Sequence, residues 1–131
     1  MKKLPLSFIG KGEVSGVRFD QIFRQGNACI YFRNGRLFEV IRIRFQQAKK
    51  NVCLGGILID FEARERYPKS SDWTTSDICT DNVEIALESA CRILGLPDKP
   101  ALLDWTAFDL SILPLKLKND FLKILDTAEK T

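Results

Sequence analysis

The side chains best suited to chemistry in this chain are five arginines and one tyrosine within its first 44 residues. Guanidinium groups pair with phosphates, and a tyrosine ring can stack on a nucleic-acid base. If they lie together on one exposed surface, they form a binding face for nucleic acid. The candidate residues are Arg18, Arg24, Tyr31, Arg33, Arg42 and Arg44.

A second candidate site is the acidic segment Asp60-Phe61-Glu62-Ala63-Arg64. Two carboxylates two residues apart on a strand face the same side and could share a divalent cation. A metal-dependent nuclease uses such a pair, but it has lysine where Arg64 stands and a further upstream acid that is not identifiable here. A solvated strand end is the simpler interpretation of the segment.

Residue types that many enzymes require are missing or badly spaced. The chain has no histidine, the commonest general base near neutral pH. Its cysteines, Cys29, Cys53, Cys79 and Cys91, are too far apart for a zinc knuckle. We therefore predict no catalytic residue, no metal site, no cofactor and no enzymatic activity. Reduced thiols in a cytoplasmic protein are expected; two disulfides in an exported protein are the alternative, without a targeting signal to support it.

Charge is distributed unequally along the chain. Residues 1–50 carry eleven Lys/Arg and three Asp/Glu, a net of +8, whereas residues 51–131 carry nine and fourteen, a net of −5. Such a split is typical of a basic surface for a polyanion. It is equally consistent with two layers of one domain that neutralise each other.

The elements that position the candidate arginines are predicted to be β-strands. Alternating polarity predicts strands over residues 12–24, 28–33 and 36–47, and a fourth over 52–62 with a bend at Gly55-Gly56. Asn34-Gly35 is a strong hairpin signal, since both residues tolerate the positive φ of a type I′ turn. Period-two alternation then places the six candidate residues on the outer face of this antiparallel meander.

The second half of the chain is predicted to be helical. A helix over 82–94 has Asp81 as its N-cap, an apolar stripe, and Gly95 at its end. A short helix over 101–110 and a last helix over 114–128 follow. The fold class is α+β: a four-stranded antiparallel sheet with one face covered by a helix, plus one or two C-terminal helices. We expect one domain over 1–131, with the sheet in 10–62 and the helical layer in 82–128.

Several motifs resemble a small bacterial family. Lys11-Gly12-Glu13-Val14, followed by Gly16, Phe19, Gln21 and Ile22, is similar to the KGEVxGxxFxQI strand of Bacteroidetes proteins often encoded near mobile elements. Phe38-Glu39-Val40, Tyr67-Pro68-Lys69-Ser70 and Trp73 follow in the family's order, although Trp73 stands alone rather than within a run of aromatics. The similarity covers residues 10–94. It implies an antiparallel sheet with a helix, and it implies no activity.

These observations favour a non-enzymatic binding or protein-interaction module. The alternative is a nucleic-acid-binding accessory protein that uses the basic sheet face, and a metal-dependent nuclease ranks third. The partner would be another protein or a second copy, because Leu113, Leu115, Leu117 and Leu122 could form a dimer seam. No stretch approaches the 18 apolar residues of a membrane span, so we expect no membrane contact.

Overall fold

The secondary structure is described for residues 2–10, 14–75 and 77–129 of a computed structural model. The predicted start of the first strand, at residues 12 and 13, lies outside these ranges. The strands are β1 (Ser7–Ile9), β2 (Arg18–Gln25), β3 (Ala28–Arg33), β4 (Leu37–Arg42), β5 (Arg44–Gln46), β6 (Lys49–Leu54), β7 (Ile57–Phe61), β8 (Arg64–Arg66) and β9 (Ile78–Thr80). The α-helices are α1 (Val83–Ile93) and α2 (Leu115–Glu129).

The main sheet is antiparallel, with strand order β1-β2-β3-β4-β9. Its centre, β2-β3-β4, is the predicted meander, which is confirmed, although the third predicted strand (36–47) ends at Arg42 and its last part forms β5 outside this sheet. Between β3 and β4 the chain reverses at Asn34 and Gly35, whose φ angles are 57° and 71°. The N–H of Arg36 donates to the carbonyl of Arg33 at 3.2 Å and closes this turn. The α+β class is likewise confirmed, with α1 packed against the sheet.

The edges of the sheet differ from the prediction. Its outer strands are β1 and β9, and the sheet has five strands rather than four. Residues 52–62 do not join it, because they belong to a separate hairpin of β6 and β7. Gly55 and Gly56 have φ angles of 58° and 82°, so they reverse the chain completely where a bend was expected. Strands β5 and β8 form a further two-stranded pair.

A β-bulge interrupts β2 and changes which face its side chains occupy. Register is regular from Phe19 to Gln21 and shifts by one before Phe23, which lies opposite Ile30. The extra residue is Ile22, and both Ile22 and Phe23 join the core beneath α1. Since a bulge inserts one residue into the alternation, Phe19 and Phe23 face opposite sides of the sheet.

Helix α1 is held at both ends by local hydrogen bonds. The side chain of Asn82, rather than the predicted Asp81, caps the N-terminus by accepting from the N–H of Ile85 at 3.0 Å. At the C-terminus Gly95 has a φ of 70°, and the N–H of Leu96 donates to the carbonyl of Cys91 at 2.9 Å. This is a Schellman arrangement, as the glycine predicted.

The helices close one face of the main sheet. Ala86, Leu87 and Ala90 of α1 are fully buried against it, and Phe121 of α2 completes the layer. Residues 101–110 form two short 3-10 turns, Pro100–Leu102 and Trp105–Ala107, instead of the predicted helix. Among the described residues no helix is both long and apolar enough to cross a membrane.

The opposite face of the sheet is also covered, contrary to the expectation of an open outer face. A second core of Leu4, Phe19, Cys29, Tyr31, Ile41 and Ile43 lies there, and Phe8, Val14, Val17, Tyr67 and Trp73 pack against it. The N-terminal segment and the loop after β8 supply this cover. Sequence periodicity predicts no covering layer from either segment.

Candidate functional site

The six residues predicted to form a basic face are dispersed. Across β2 and β3, Arg24 lies opposite Cys29 and Arg33 opposite Phe19, so both share with Tyr31 the face away from α1. Arg42 lies opposite Ala28 on the helix side, Arg18 is at the end of β2 near the other edge, and Arg44 belongs to β5. They do not form one exposed face, which corrects the expectation from simple alternation.

Tyr31 cannot stack on a base, because its side chain is completely buried. Its hydroxyl donates to the carbonyl of Pro5 at 2.6 Å and accepts from the side-chain amide of Gln21 at 3.2 Å. Burial raises the pKa of Tyr31. The residue is therefore a hydrogen-bonded core side chain.

Arg24 forms a two-pronged ion pair with Glu65 of β8. Nη1 and Nη2 of the guanidinium each donate to one carboxylate oxygen, and the side chain of Glu65 is only 4% exposed. The backbone N–H of Leu4 donates to the same carboxylate at 3.0 Å. The hydrogen bond from Arg24 lowers the pKa of Glu65 to about 2, and the contact with Leu4 adds to the effect.

Arg44 is neutralised by a second buried acid, Asp77, which belongs to the net negative part of the chain, residues 51–131. Its Nη2 donates to Oδ2 of Asp77 at 2.7 Å, and the Asp77 side chain has no exposed surface. The backbone N–H groups of Arg42 and Thr74 also donate to this carboxylate, each at 2.8 Å. Burial opposes ionisation, but the hydrogen bonds from Arg44, Thr74 and Arg42 outweigh it and lower the pKa of Asp77.

The charge split along the chain thus has a structural explanation in these pairs. Arg24 and Arg44, from the net positive residues 1–50, pair with acids of the net negative residues 51–131. Arg24 pairs with Glu65 and Arg44 with Asp77, as expected if two layers neutralise each other. Arg18 pairs with Asp20 at the surface, 3.0 Å away, with 68% of the arginine side chain exposed. Arg42 is also exposed. The arginine set offers phosphate far fewer accessible cations than the sequence predicted.

The hairpin of β6 and β7 leaves a group of apolar side chains uncovered. Leu54, Ile57, Leu58 and Ile59 are exposed large hydrophobic residues. Among the described elements, neither strand makes more than marginal contact with any element except the other. Leu54 pairs with Ile57 and Val52 with Ile59, so these four side chains form one face, which we call the hairpin face.

The borders of the hairpin face carry both charge signs on separate strands. Lys49 and Lys50 begin β6, whereas Asp60 and Glu62 lie at the end of β7 and just after it. All four are exposed. The hairpin over 49–62 is therefore neutral in total, with a positive and a negative strand.

Asp60 and Glu62, the proposed metal ligands, show no metal-binding arrangement. One oxygen of Asp60 accepts from the backbone N–H of Asn51 at 2.9 Å, which ties the carboxylate to the bulged part of the hairpin. Within the described ranges, no group of three or more His, Cys, Asp or Glu side chains could hold a metal ion. The acids fit the simpler interpretation of a solvated strand end.

A cleft of about 630 Å³ opens above the second core. Its walls are aromatic: the rings of Phe8 and Phe19 stack with centroids 4.7 Å apart, and Tyr67 meets Phe8 edge-on at 5.5 Å. Trp73 lines the same cleft. A Cβ on Gly10 would come within 2.5 Å of the Val14 carbonyl oxygen, so only glycine allows this close approach at the rim.

The floor of the cleft is polar. Glu39 is buried and accepts from the Tyr67 hydroxyl at 2.7 Å, while Nε of Arg33 lies 2.9 Å from its other oxygen. That Arg33 N–H is not aimed at the oxygen, and it has no hydrogen-bond partner in the structure as described. Burial, followed by the charge of Glu39, raises the pKa of Tyr67, so the phenol stays a donor.

Other predicted features are divided between core and surface. Cys29 and Cys91 are buried, Cys53 and Cys79 are exposed, and all four thiols are free. Burial raises the pKa of Cys29 to about 12. Of the leucines in the predicted dimer seam, Leu113 is in the main core and Leu117 packs against it, while Leu115 and Leu122 are exposed. The four leucines do not form one seam.

Comparison of the chain with models of known protein families, with curated proteins and with solved structures finds no significant match. The resemblance to the Bacteroidetes family stays a prediction, and its opening Lys11-Gly12-Glu13 lies outside the described residues.

Proposed function

We propose that this protein is a non-enzymatic protein-interaction module that self-associates through the hairpin face. The observation that carries the proposal is the uncovered apolar surface of β6 and β7, with Ile57 65% exposed and Leu54 49% exposed. Contiguous apolar surface of this kind marks interaction sites in proteins that otherwise bury such residues.

The hairpin itself favours an interaction role. A two-stranded ribbon with no further cover is only marginally stable in water. The other described elements supply almost no cover for the hairpin, although both faces of the main sheet are themselves covered. A partner that packs on the hairpin face would bury Val52, Leu54, Ile57 and Ile59 together, and would stabilise the ribbon as well as the complex.

The charges beside the hairpin face favour a second copy as the partner. A two-fold axis along the ribbon places β6 of each copy over β7 of the other. The start of β6 with Lys49 and Lys50 then lies over the end of β7 in the other copy. Asp60 there alternates with Ile59 and points away from the interface, so these charges attract across the ribbon instead of pairing directly. Because a two-fold interface brings one patch against itself, it needs such a self-complementary pattern of charge.

The expected dimer is of moderate affinity. A standard interface buries roughly 800 Å² on each partner, which is more than one face of a short hairpin supplies. Burying a half-exposed isoleucine is worth roughly 1 kcal/mol. Because both copies carry the change, Ile57→Ser should cost about 2 kcal/mol per dimer, or roughly thirtyfold in Kd.

Sedimentation equilibrium over a range of protein concentrations tests the proposal. We expect a monomer–dimer equilibrium that Ile57→Ser shifts toward the monomer. The matched control is Ile85→Ser on α1, which changes a residue that is also exposed, at 44%, and should leave the Kd unchanged. A wild-type protein that stays monomeric at millimolar concentration, or equal effects of the two variants, would contradict the proposal.

A further inference from the structure

We propose that the cleft between β1, β2 and the loop after β8 binds a small planar aromatic carboxylate. This site lies over the second core and uses no residue of the hairpin face. The inference is therefore independent of the oligomeric state of the protein.

The aromatic walls of the cleft favour a ligand with a flat, apolar ring system. Phe8 and Phe19 are parallel within 7°, and Tyr67 and Trp73 complete an aromatic surround. Flat rings pack on such walls in stacked or edge-on arrangements. A volume of about 630 Å³ falls in the range of small-molecule sites and accommodates a two-ring ligand.

The floor specifies an acceptor at one end of the ligand. One oxygen of Glu39 accepts from the Tyr67 hydroxyl, and the other lies 2.9 Å from Arg33 Nε as an ion pair without a hydrogen bond. The guanidinium of Arg33 has five N–H groups, and the hydrogen bond it makes is a weak one, from Nη2 to the Cys79 sulfur at 3.5 Å. Among the hydrogen bonds of the described residues the Arg33 side chain makes only this one, so its guanidinium keeps donors for a ligand.

A carboxylate fits these donors better than a neutral acceptor. Arg33 is about one-fifth exposed, whereas Glu39 is about one-tenth exposed, so the cation is the more accessible member of the pair. Guanidinium groups bind carboxylates through two parallel hydrogen bonds. The Glu39 charge limits the gain, and we expect a Kd of about 1 mM for a ligand of two rings.

Differential alkylation tests this site with two thiols of the same molecule. Cys79 lines the cleft and Cys53 lies on the hairpin, and both are exposed. With 2-naphthoate at several times the expected Kd, alkylation of Cys79 by N-ethylmaleimide should slow about fivefold, whereas Cys53 should react at its original rate. Mass spectrometry of the two peptides measures both rates. Equal rates with and without 2-naphthoate at Cys79, or equal slowing at Cys53, would overturn the proposal.

The ligand class is tested with 2-naphthamide, which has the same rings without the charge. It should bind about tenfold more weakly than 2-naphthoate, as hydrogen bonds to a charged group are the stronger. Arg33→Gln should abolish this preference. Equal binding of the two probes by the wild type would overturn the carboxylate assignment.

A second variant keeps the Arg33–Glu39 ion pair and so tests the site even if Arg33→Gln does not fold. Cys79→Trp places an indole at the cleft on a strand that readily accommodates aromatic residues. It should prevent 2-naphthoate binding measured by calorimetry, while Cys53→Trp on the hairpin should not. Undiminished binding to Cys79→Trp would place the ligand elsewhere and overturn the site.

Discussion

The main sheet and the hairpin are built from similar residues and have opposite surroundings. In β3, every residue from Ala28 to Phe32 is buried, because α1 covers one face and the second core the other. In β7, Ile57, Leu58 and Ile59 are as apolar, yet each is exposed. Apolar strands therefore do not identify the core of this protein; the layers that cover them do.

Charged side chains show the same contrast. Beside the main sheet, the buried acids Glu65 and Asp77 each meet an arginine and at least one backbone N–H. On the hairpin, Lys49 and Glu62 stand in solvent at the borders of an apolar face. The first arrangement satisfies buried charge within one molecule. The second is suited to contact with another molecule, and mutations can separate the two.

The largest expected effect separates a covered leucine from an uncovered one. Leu87 of α1 is fully buried, whereas Leu58 of β7 is 67% exposed. Leu87→Ala leaves a cavity and should lower the free energy of unfolding by about 4 kcal/mol. Leu58→Ala deletes the same atoms from a side chain that is already in solvent, so it should lower the free energy of unfolding by less than about 0.5 kcal/mol. Urea unfolding at low protein concentration measures both. Similar losses would show that the hairpin is part of the cooperative core.

A smaller effect separates a buried ion pair from an exposed one. Arg24→Met leaves the Glu65 carboxylate buried without its partner and should destabilise the protein by about 3 kcal/mol. Arg18→Met breaks a surface pair with Asp20 and should cost under about 1 kcal/mol. The same urea titration compares them, and a cost for Arg18→Met as large as that for Arg24→Met would refute the contrast.

The pH dependence of stability should reveal the contribution of the Arg24–Glu65 ion pair. The pKa of Glu65 is lowered from 4.5 to about 2 in the folded state, chiefly by Arg24. Its stabilising contribution is complete above pH 4.5 and is lost as the pH falls toward 2, by roughly 3 kcal/mol. The wild type should therefore be more stable than Glu65→Gln at pH 6, and the difference should shrink by pH 2.5. Unfolding curves at both pH values check this, and a constant difference would exclude Glu65 as the source.

The local parts of the fold were predictable from sequence. Asn34-Gly35 set the turn between β3 and β4, and Gly95 set the end of α1, because each needs a backbone angle that few other residues adopt. The covering layer was not predictable in this way. Strands β1 and β9 have three residues each, too few for periodicity to distinguish them from loop.

The candidate site was predictable only in part, for two physical reasons. The bulge at Ile22 changes the alternation in β2, and no glycine or other local signal marks it. Glu65 reaches Arg24 across 41 residues of sequence, a separation at which pairing depends on the tertiary fold. The apolar run at 57–59 was visible in the sequence, but its lack of cover depends on the reversal at Gly55-Gly56.

The smallest expected effect is the difference between alanine substitutions at two glycines that both require a positive φ. Gly95 and Gly56 have φ angles of +70° and +82°, and an added Cβ would meet no atom within 4 Å at either position. Alanine should therefore cost about 1 kcal/mol of backbone strain at both. At Gly95 the strain acts on α1 and should appear in the free energy of global unfolding. At Gly56 it acts on a ribbon that the core does not hold, so the global value should barely change.

Hydrogen exchange provides the complementary measurement for Gly56→Ala. Amides of β6 and β7 open locally, and a loss of about 1 kcal/mol should speed their exchange roughly fivefold. Amides of β3 should exchange at the wild-type rate in this variant and faster in Gly95→Ala. If Gly56→Ala instead speeds exchange in β3, the hairpin and the sheet unfold together. The uncovered hairpin would then be held by the core after all, and its stability would not require a partner.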